Sequence, residues 1–561
     1  MAKTVAIGIQ DFEKIRERNV FYIDKTKFIR EWWESQDDVT LITRPRRFGK
    51  TLTIRMTEQF FSVKYQGRGD LFEGLDIWKD EKYRTLQGSY PVISLSFANV
   101  KENSYLGVRK QICQALTEIY NSFDFLLDGD YLNTKEKEFF DRVSADMEEY
   151  VAVSSLKVLS EYLYRYYGKK VIILLYEYDT PMQEAYVNGF WDQMTSFIRN
   201  LFSATFKGNS YFERALMTGI TRISKESIFS DLNNLKVVTT TSEKYEDCFG
   251  FTEKEVFSAL DEYGLSDKKG EVKAWYDGFV FGKTSDIYNQ WSIINYLDDR
   301  KLRTYWANTS SNSLVSKLIR EGNTNIKQDF EELLKGKEVR MLIDEQIVFE
   351  QLSSKESAVW SLLLASGYLK AVRTEYIEAT GQEYYYLELT NKEVRVMFSS
   401  MIYDWFSNYD CGYNDFIKAM LLDDRKSMNI YMNRVALATF SFFDSGKRAS
   451  AESEPERFYH GFVLGLLVDL QERYAVSSNR ESGFGRYDVV LEPKNDQDDA
   501  IILEFKVRDE EEEADLKATV QEALDQIEKK KYDASLIARG IPKDRIRKYG
   551  FAFQGKKVLI G

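Results

Sequence analysis

Thr43-Arg44-Pro45-Arg46-Arg47-Phe48-Gly49-Lys50-Thr51-Leu52 follows directly on the apolar, β-branched run Val39-Thr40-Leu41-Ile42-Thr43. A strand that feeds such a loop and then a helix aims backbone N–H groups and a lysine at nucleotide phosphates, and the hydroxyl after the lysine can ligand Mg²⁺. Arg44 holds the place of the first glycine in G-x-x-x-x-G-K-[ST]. Apolar residues at helical spacing continue to Phe61. The candidate nucleotide contacts are therefore Arg46, Arg47, Phe48, Gly49, Lys50, Thr51 and Leu52, with Thr51 also a candidate metal ligand. On spacing alone, a basic turn before a helix is the competing reading.

Outward from this loop, Pro91-Val92-Ile93-Ser94-Leu95-Ser96-Phe97 reads as a strand and residues 106–120 as a helix. Lys169-Lys170-Val171-Ile172-Ile173-Leu174-Leu175-Tyr176-Glu177-Tyr178-Asp179-Thr180-Pro181 reads as a buried strand with an acidic end. Alternating strands and helices imply an α/β fold with a parallel sheet covered on both faces. In such a fold one carboxylate at a strand end holds Mg²⁺ and another polarises water. Tyr176 stands where the metal-holding Asp is expected, which leaves Glu177 as the candidate water-activating carboxylate and Asp179 as a further acidic group near the phosphates. A buried strand that ends in a polar turn is the alternative. A third strand, residues 214–222, places Thr218 and Arg222 as candidate sensors of the terminal phosphate. For Arg222 a surface salt bridge competes.

The chain has 561 residues, too many for one core, and with 43% apolar and 15% aromatic residues most of it folds. Six prolines and no Gly/Ser-rich tract leave few flexible linkers. The boundaries read as a P-loop domain over 1–250, a helical lid and winged-helix-like region over 251–409, and a third α/β domain over 410–561. Three scattered cysteines, Cys113, Cys248 and Cys411, lack any C-x-x-C spacing and suit a reducing cytoplasm. No apolar run is long enough for a membrane span. A net charge of −12 argues against a nucleic-acid coat that works by bulk charge, and leaves local basic patches open. The acidic run 509–513 reads as the solvated start of a helix.

In the last third, Gly485-Arg486-Tyr487-Asp488-Val489-Val490-Leu491 enters a strand, and Ala500-Ile501-Ile502-Leu503-Glu504-Phe505-Lys506-Val507 is its partner. Strand period 2 puts Glu504 and Lys506 on one face, and hairpin pairing brings Asp488 beside them. That is the geometry of a PD-(D/E)xK metal site. Two carboxylates hold Mg²⁺ or Mn²⁺, the metal activates water against a phosphodiester, and Lys506 orients that water. A Glu504–Lys506 pair that decorates a sheet face is the alternative. Arg480 and Arg486 are candidate phosphate contacts or solvated surface residues.

Taken together, Tyr22-Ile23-Asp24-Lys25-Thr26, the loop at 44–52, Glu177-Tyr178-Asp179-Thr180-Pro181, Thr218-Gly219-Ile220-Thr221-Arg222 and Phe229-Ser230-Asp231-Leu232-Asn233-Asn234-Leu235 resemble the AAA-ATPase-like proteins of bacteria. The likeness continues through Phe249-Gly250-Phe251-Thr252, Trp275-Tyr276-Asp277-Gly278-Phe279, Tyr288-Asn289-Gln290-Trp291-Ser292 and residues 306–312. The aromatic residues of these later motifs read as packing.

The resemblance implies that Arg44 is normal in the loop, that the nucleotide is ATP or GTP, and that a PD-(D/E)xK (restriction-endonuclease-like) nuclease domain ends the chain. It also implies DNA as the partner, with a role in defence against phage or mobile elements. Homo-oligomers fit equally. Tyr176 departs from the family's Asp, so binding with weak hydrolysis is expected. Glu456 and His460, four apart on a helix, resemble a metal-holding pair of the exonuclease-like branch. Gln526 and Tyr532 resemble the family's supporting Gln and Tyr, although a six-residue spacing keeps them off one clean helical face. The rival reading is a non-cleaving, ATP-binding switch or interaction protein.

Overall fold

In the computed structural model the described residues are 2–221, 228–229, 232–307, 309, 315, 318–319, 324–334, 336–344, 352, 355–407, 413–439, 463, 467, 470, 473–482, 485–495, 498–509, 513–554 and 557–561. For residues 479–482 and 485–488 the description is of the backbone course alone. The chain forms two compact units, Met1–Ser311 with Glu338–Val394, and Asn312–Lys337 with Arg395–Gly561.

The first unit is built on five parallel strands, β1 (Val39–Thr43), β2 (Val92–Ser96), β3 (Val171–Tyr176), β4 (Phe212–Gly219) and β5 (Leu235–Val238), in the order β2-β3-β4-β1-β5. Every residue of β1 and β3 is buried, as expected where both faces of a parallel sheet are covered. Helix Lys50–Phe61 packs on β2 and β3, helix Tyr105–Asn121 on β2, and helix Glu149–Tyr167 on β3. The registers Thr43↔Gly219 and Ser96↔Tyr176 bring the loop after β1 and the polar ends of β3 and β4 to one edge of the sheet. Ligands of open α/β sheets bind at that edge.

The motifs shared with the resembled family also fasten this unit. The Asp24 carboxylate accepts from Thr26 N, Thr26 Oγ1 and Asp76 N at 2.7–2.8 Å. Lys25 Nζ donates to Asp247 O and to both oxygens of Glu255, which is itself the capping-box partner of Thr252.

The region after β5 is less purely helical than its sequence suggests. Strands β6 (Phe251–Thr252), β7 (Phe279–Phe281) and β8 (Thr284–Tyr288) make a small antiparallel sheet in the order β6-β8-β7. Helix Glu356–Ala365 precedes the hairpin of β10 (Leu369–Ile377) and β11 (Gln382–Leu389), which pairs with β9 (Val339–Leu342), a winged-helix-like arrangement.

The second unit carries a mixed sheet of β12 (Tyr474–Ser482), β13 (Gly485–Pro493), β14 (Ala500–Val507), β15 (Ile546–Gln554) and β16 (Lys557–Ile560), in sequence order. β14 and β15 are parallel, joined through helix Leu516–Lys530, and the remaining pairs are antiparallel. Along β14, Ile501, Leu503 and Phe505 enter one core with Tyr549, Phe551 and Phe553, while Ala500 and Ile502 pack with Ile527, Tyr532 and Leu536 on the other face. Period 2 puts Glu504 and Lys506 on that second face, which the helix covers. Among the described residues no helix is long and apolar enough to cross a membrane, and Cys113 and Cys248 are buried free thiols.

Candidate functional site

The phosphate-loop geometry begins with Gly49, whose φ of +76° starts helix Lys50–Phe61. The positive φ favours glycine, and a Cβ there would stand 2.4 Å from Gln290 Oε1, so that side chain would have to move. Arg47 also lies in the left-handed region, at φ +61°.

Lys50 is 7% exposed, and its Nζ donates to Arg44 O at 2.8 Å and Pro45 O at 2.7 Å. Burial lowers its pKa to about 8, and Glu177 and Asp179 oppose the shift. Thr51 and Leu52 are half-buried in the first turn of the helix. Arg46 and Arg47 are exposed.

The side chains of two loop residues pack into the fold. Arg44 is fully buried, with Nη1 donating to Thr43 O and Thr239 O and its guanidinium 4.8 Å from the Phe281 ring centre. An arginine in the first-glycine position thus braces the loop from below. Phe48, a predicted nucleotide contact, is buried against Phe279 and Phe281, so only its backbone faces a ligand.

At the neighbouring strand ends, Tyr176 is 3% exposed and donates its hydroxyl to Glu58 Oε2 at 3.1 Å. The Arg55 guanidinium lies 5.3 Å over its ring and pairs with Glu58. Burial pushes the phenol well above its ordinary range, so it stays a neutral donor. Glu177 has φ +48°, a strained position of the kind that clusters at functional sites.

Asp179 is 1% exposed, and its Oδ2 accepts from Ile220 N, Thr221 N, Thr221 Oγ1 and Gln183 Nε2 at 2.9–3.1 Å. It therefore organises the turn after β4. Its Oδ1 is buried without a hydrogen-bond partner and would stand 2.8 Å from a Cβ at Gly219. A buried carboxylate oxygen left over beside a lysine and a loop of N–H groups fits the cation that accompanies a nucleotide. Thr218 is buried at the end of β4, and Arg222 lies outside the described residues.

Sequence reasoning missed the side chains that clasp this loop from outside. The carbonyl of Arg46 accepts from Trp306 Nε1 at 2.9 Å and Asn289 Nδ2 at 3.4 Å. The Arg47 guanidinium lies 4.4 Å over Trp291, and Gln290 sits against Gly49. The Tyr288-Asn289-Gln290-Trp291-Ser292 and Trp306 motifs, read as packing, supply polar contacts to the phosphate loop.

In the second unit Glu504 is 3% exposed and accepts a hydrogen bond from Gln526 Nε2, which lies 3.2 Å from Tyr532 Oη. Gln526 and Tyr532 meet despite their six-residue spacing for a local reason. Helix Leu516–Lys530 stops at Lys531, which takes φ +54°, and the chain turns so that Tyr532 N bonds back to Ile527 O. Lys506 Nζ bonds Glu522 Oε1 at 2.8 Å, on the same helix.

The pairing of β13 with β14 runs from Leu491↔Ile501 to Val489↔Leu503, and position 488 is the next residue of β13 beyond that run, as Glu504 is of β14. The side chains of Asp488, Arg480 and Arg486 lie outside the described part, as do residues Glu456 and His460. A buried carboxylate whose orientation is set by a neutral amide, two residues from a lysine, fits a divalent cation. Residues 510–512 of the acidic run lie outside the described residues; after the run Asp515 caps helix Leu516–Lys530, and Glu513 accepts from Thr519 Oγ1.

Comparison with known proteins finds two matched regions in the chain. Residues 6–229 match the family described as predicted AAA-ATPase, and residues 454–561 match the PD-(D/E)XK nuclease superfamily. An uncharacterized protein in the vnfD 5′ region of Azotobacter chroococcum mcd 1 is 26% identical over 321 residues, which is 57% of this chain. The chain spans 56% of that relative's length.

Proposed function

Because the chain carries a predicted AAA-ATPase-like domain and, at its carboxyl end, a PD-(D/E)XK nuclease superfamily domain, we propose that a nucleotide at the Lys50 loop governs phosphodiester cleavage at Glu504. The nucleotide is ATP or GTP, the metal Mg²⁺ or Mn²⁺, and the substrate DNA, in defence against phage or control of mobile elements.

The carrying observation is the Glu504–Gln526–Tyr532 hydrogen-bonded set with Lys506 on the same strand face. An isolated surface pair would need no such support, whereas a metal carboxylate does, because its orientation fixes the ligand geometry. When bound, the cation lowers the pKa of its water and offsets charge on the scissile phosphate. Gln526 holds the Glu504 carboxylate, Asp488 completes the pair from β13, and Lys506 exchanges Glu522 for the attacking water. Glu456 and His460 extend this set, with Arg480 and Arg486 on the flanking phosphates.

At the nucleotide end, Lys50 and the N–H groups of the loop hold phosphate, and Glu177 orients water. Hydrolysis is slow, because Tyr176 offers a neutral phenol committed to Glu58 where a carboxylate is needed. The result is a switch that holds its nucleotide. The test is incubation of the purified protein with linear, nicked and single-stranded DNA and Mn²⁺. Cleavage lost in Lys506→Ala supports the reading; no cleavage of any form, with the variant indistinguishable, overturns it.

A further inference from the structure

Glu393 is a buried carboxylate that the chemistry above does not use. Its Oε1 accepts from Tyr305 N and Trp306 N at 2.6 Å and Ala307 N at 3.3 Å, and its Oε2 from Ser292 Oγ at 2.8 Å. Side-chain carboxylates are rarely buried so completely without such saturation, and burial here still leaves the pKa above its ordinary value.

The donors lead to the phosphate loop. Trp306, whose backbone N–H meets Glu393, turns its indole N–H onto Arg46 O, and its ring is fixed by Phe279 at 5.3 Å and Tyr368 at 5.6 Å. Ser292, whose hydroxyl meets Glu393, has its backbone N–H on Asn289 Oδ1, and Asn289 Nδ2 reaches the same Arg46 carbonyl. Both donors to Arg46 O are thus one residue or one side chain away from Glu393. Glu393 lies in the first turn of helix Lys392–Ser407, and that helix passes out of the first compact unit after Val394.

The bonds of Lys50 lie next to the Arg46 carbonyl that these donors hold. Lys50 Nζ is satisfied here by the carbonyls of Arg44 and Pro45, the two residues before Arg46. A phosphate that draws the lysine away would leave those carbonyls, next to Arg46, to find other donors, and a change of loop geometry there is what the relay requires. A ligand shifts an equilibrium only through such a difference. We infer that Glu393 is a positioning residue for the phosphate loop and that Trp306 and Glu393 relay nucleotide occupancy to helix Lys392–Ser407. The inference rests on the nucleotide reading of the Lys50 loop.

The test uses the full chain, a fluorescent ATP analogue to measure binding, and hydrogen exchange of residues 392–407 with and without ATP. In the unmodified protein ATP is expected to change exchange there by about fivefold or more, the lower end of ordinary coupling. Trp306→Phe keeps the ring and loses the indole N–H to Arg46 O; it is expected to bind the analogue more weakly and, at concentrations of ATP that saturate it, to lose the ATP-dependent change. A purely structural role would not remove that change while binding persists. Binding without any change in the unmodified protein, or an unaltered change in Trp306→Phe, overturns the relay alone. Failure of the unmodified protein to bind the analogue overturns the parent reading, and the relay with it. If Trp306→Phe does not fold, Glu393→Gln replaces it with the same expected and overturning results.

Discussion

Raising the pH from 7 to 9.5 should weaken nucleotide binding by about thirtyfold. In the free protein Lys50 is enclosed by the loop, its Nζ bonded to two backbone carbonyls, and burial lowers its pKa to about 8. A bound polyphosphate restores the lysine's preference for the ammonium form, so binding above pH 8 must take up a proton. At pH 9.5 roughly 3% of a group with a pKa of 8 is protonated, and the affinity loss of about thirtyfold corresponds to about 2 kcal/mol. Folding stability moves the other way. The unfolded chain holds the lysine proton up to about 10.5, so the penalty for burying the charge is full below pH 8 and disappears as pH rises towards 10.5. Lost binding therefore cannot be ascribed to Lys50-driven unfolding. Titration with a fluorescent ATP analogue in EDTA at constant ionic strength, from pH 7 to 9.5, measures the effect. An affinity that stays flat to pH 9.5 refutes the reasoning.

Two further outcomes follow from the geometry. Tyr176→Asp removes the hydroxyl bond to Glu58 and puts a second carboxylate beside it, which should cost about 1–3 kcal/mol in a thermal melt without nucleotide. With ATP and Mg²⁺ the same variant should release phosphate faster than the parent protein; a variant that is no faster contradicts the assignment of slow hydrolysis to Tyr176. Gln526→Ala frees the Glu504 carboxylate to rotate and should weaken Mn²⁺ binding, read by calorimetry, by about 10- to 100-fold. Unchanged Mn²⁺ affinity would remove Gln526 from the site.

The sequence shows most plainly what is local. The strand-loop-helix around Lys50 and the alternation that sets Glu504 and Lys506 on one face are properties of adjacent residues, and the parallel sheet follows from the order of such units. Contacts made at long range are invisible to that reasoning. Asn289 and Trp306 reach Arg46 across 243 and 260 residues, and nothing in their own neighbourhood distinguishes a loop clasp from aromatic packing. Arg44 looked like a flaw in a glycine motif because its place beneath the loop depends on Thr239 and Phe281. On a helix that continues, a six-residue spacing keeps Gln526 and Tyr532 off one face. Lys531 ends it in a left-handed conformation that glycine or asparagine would have announced and lysine does not. The return of residues 338–394 to the unit of the phosphate loop is likewise a tertiary event without a local signature.

Control of cleavage at Glu504 by nucleotide at Lys50 is open to a single experiment. Its most direct test is the DNA cleavage rate as a function of ATP concentration, in Mn²⁺, for the unmodified protein and for Lys50→Ala. The account predicts a rate that follows nucleotide occupancy in the unmodified protein and ignores ATP in Lys50→Ala, with both activities abolished by Glu504→Ala. A protein that binds ATP and cleaves DNA at one rate whatever the ATP concentration would contradict it.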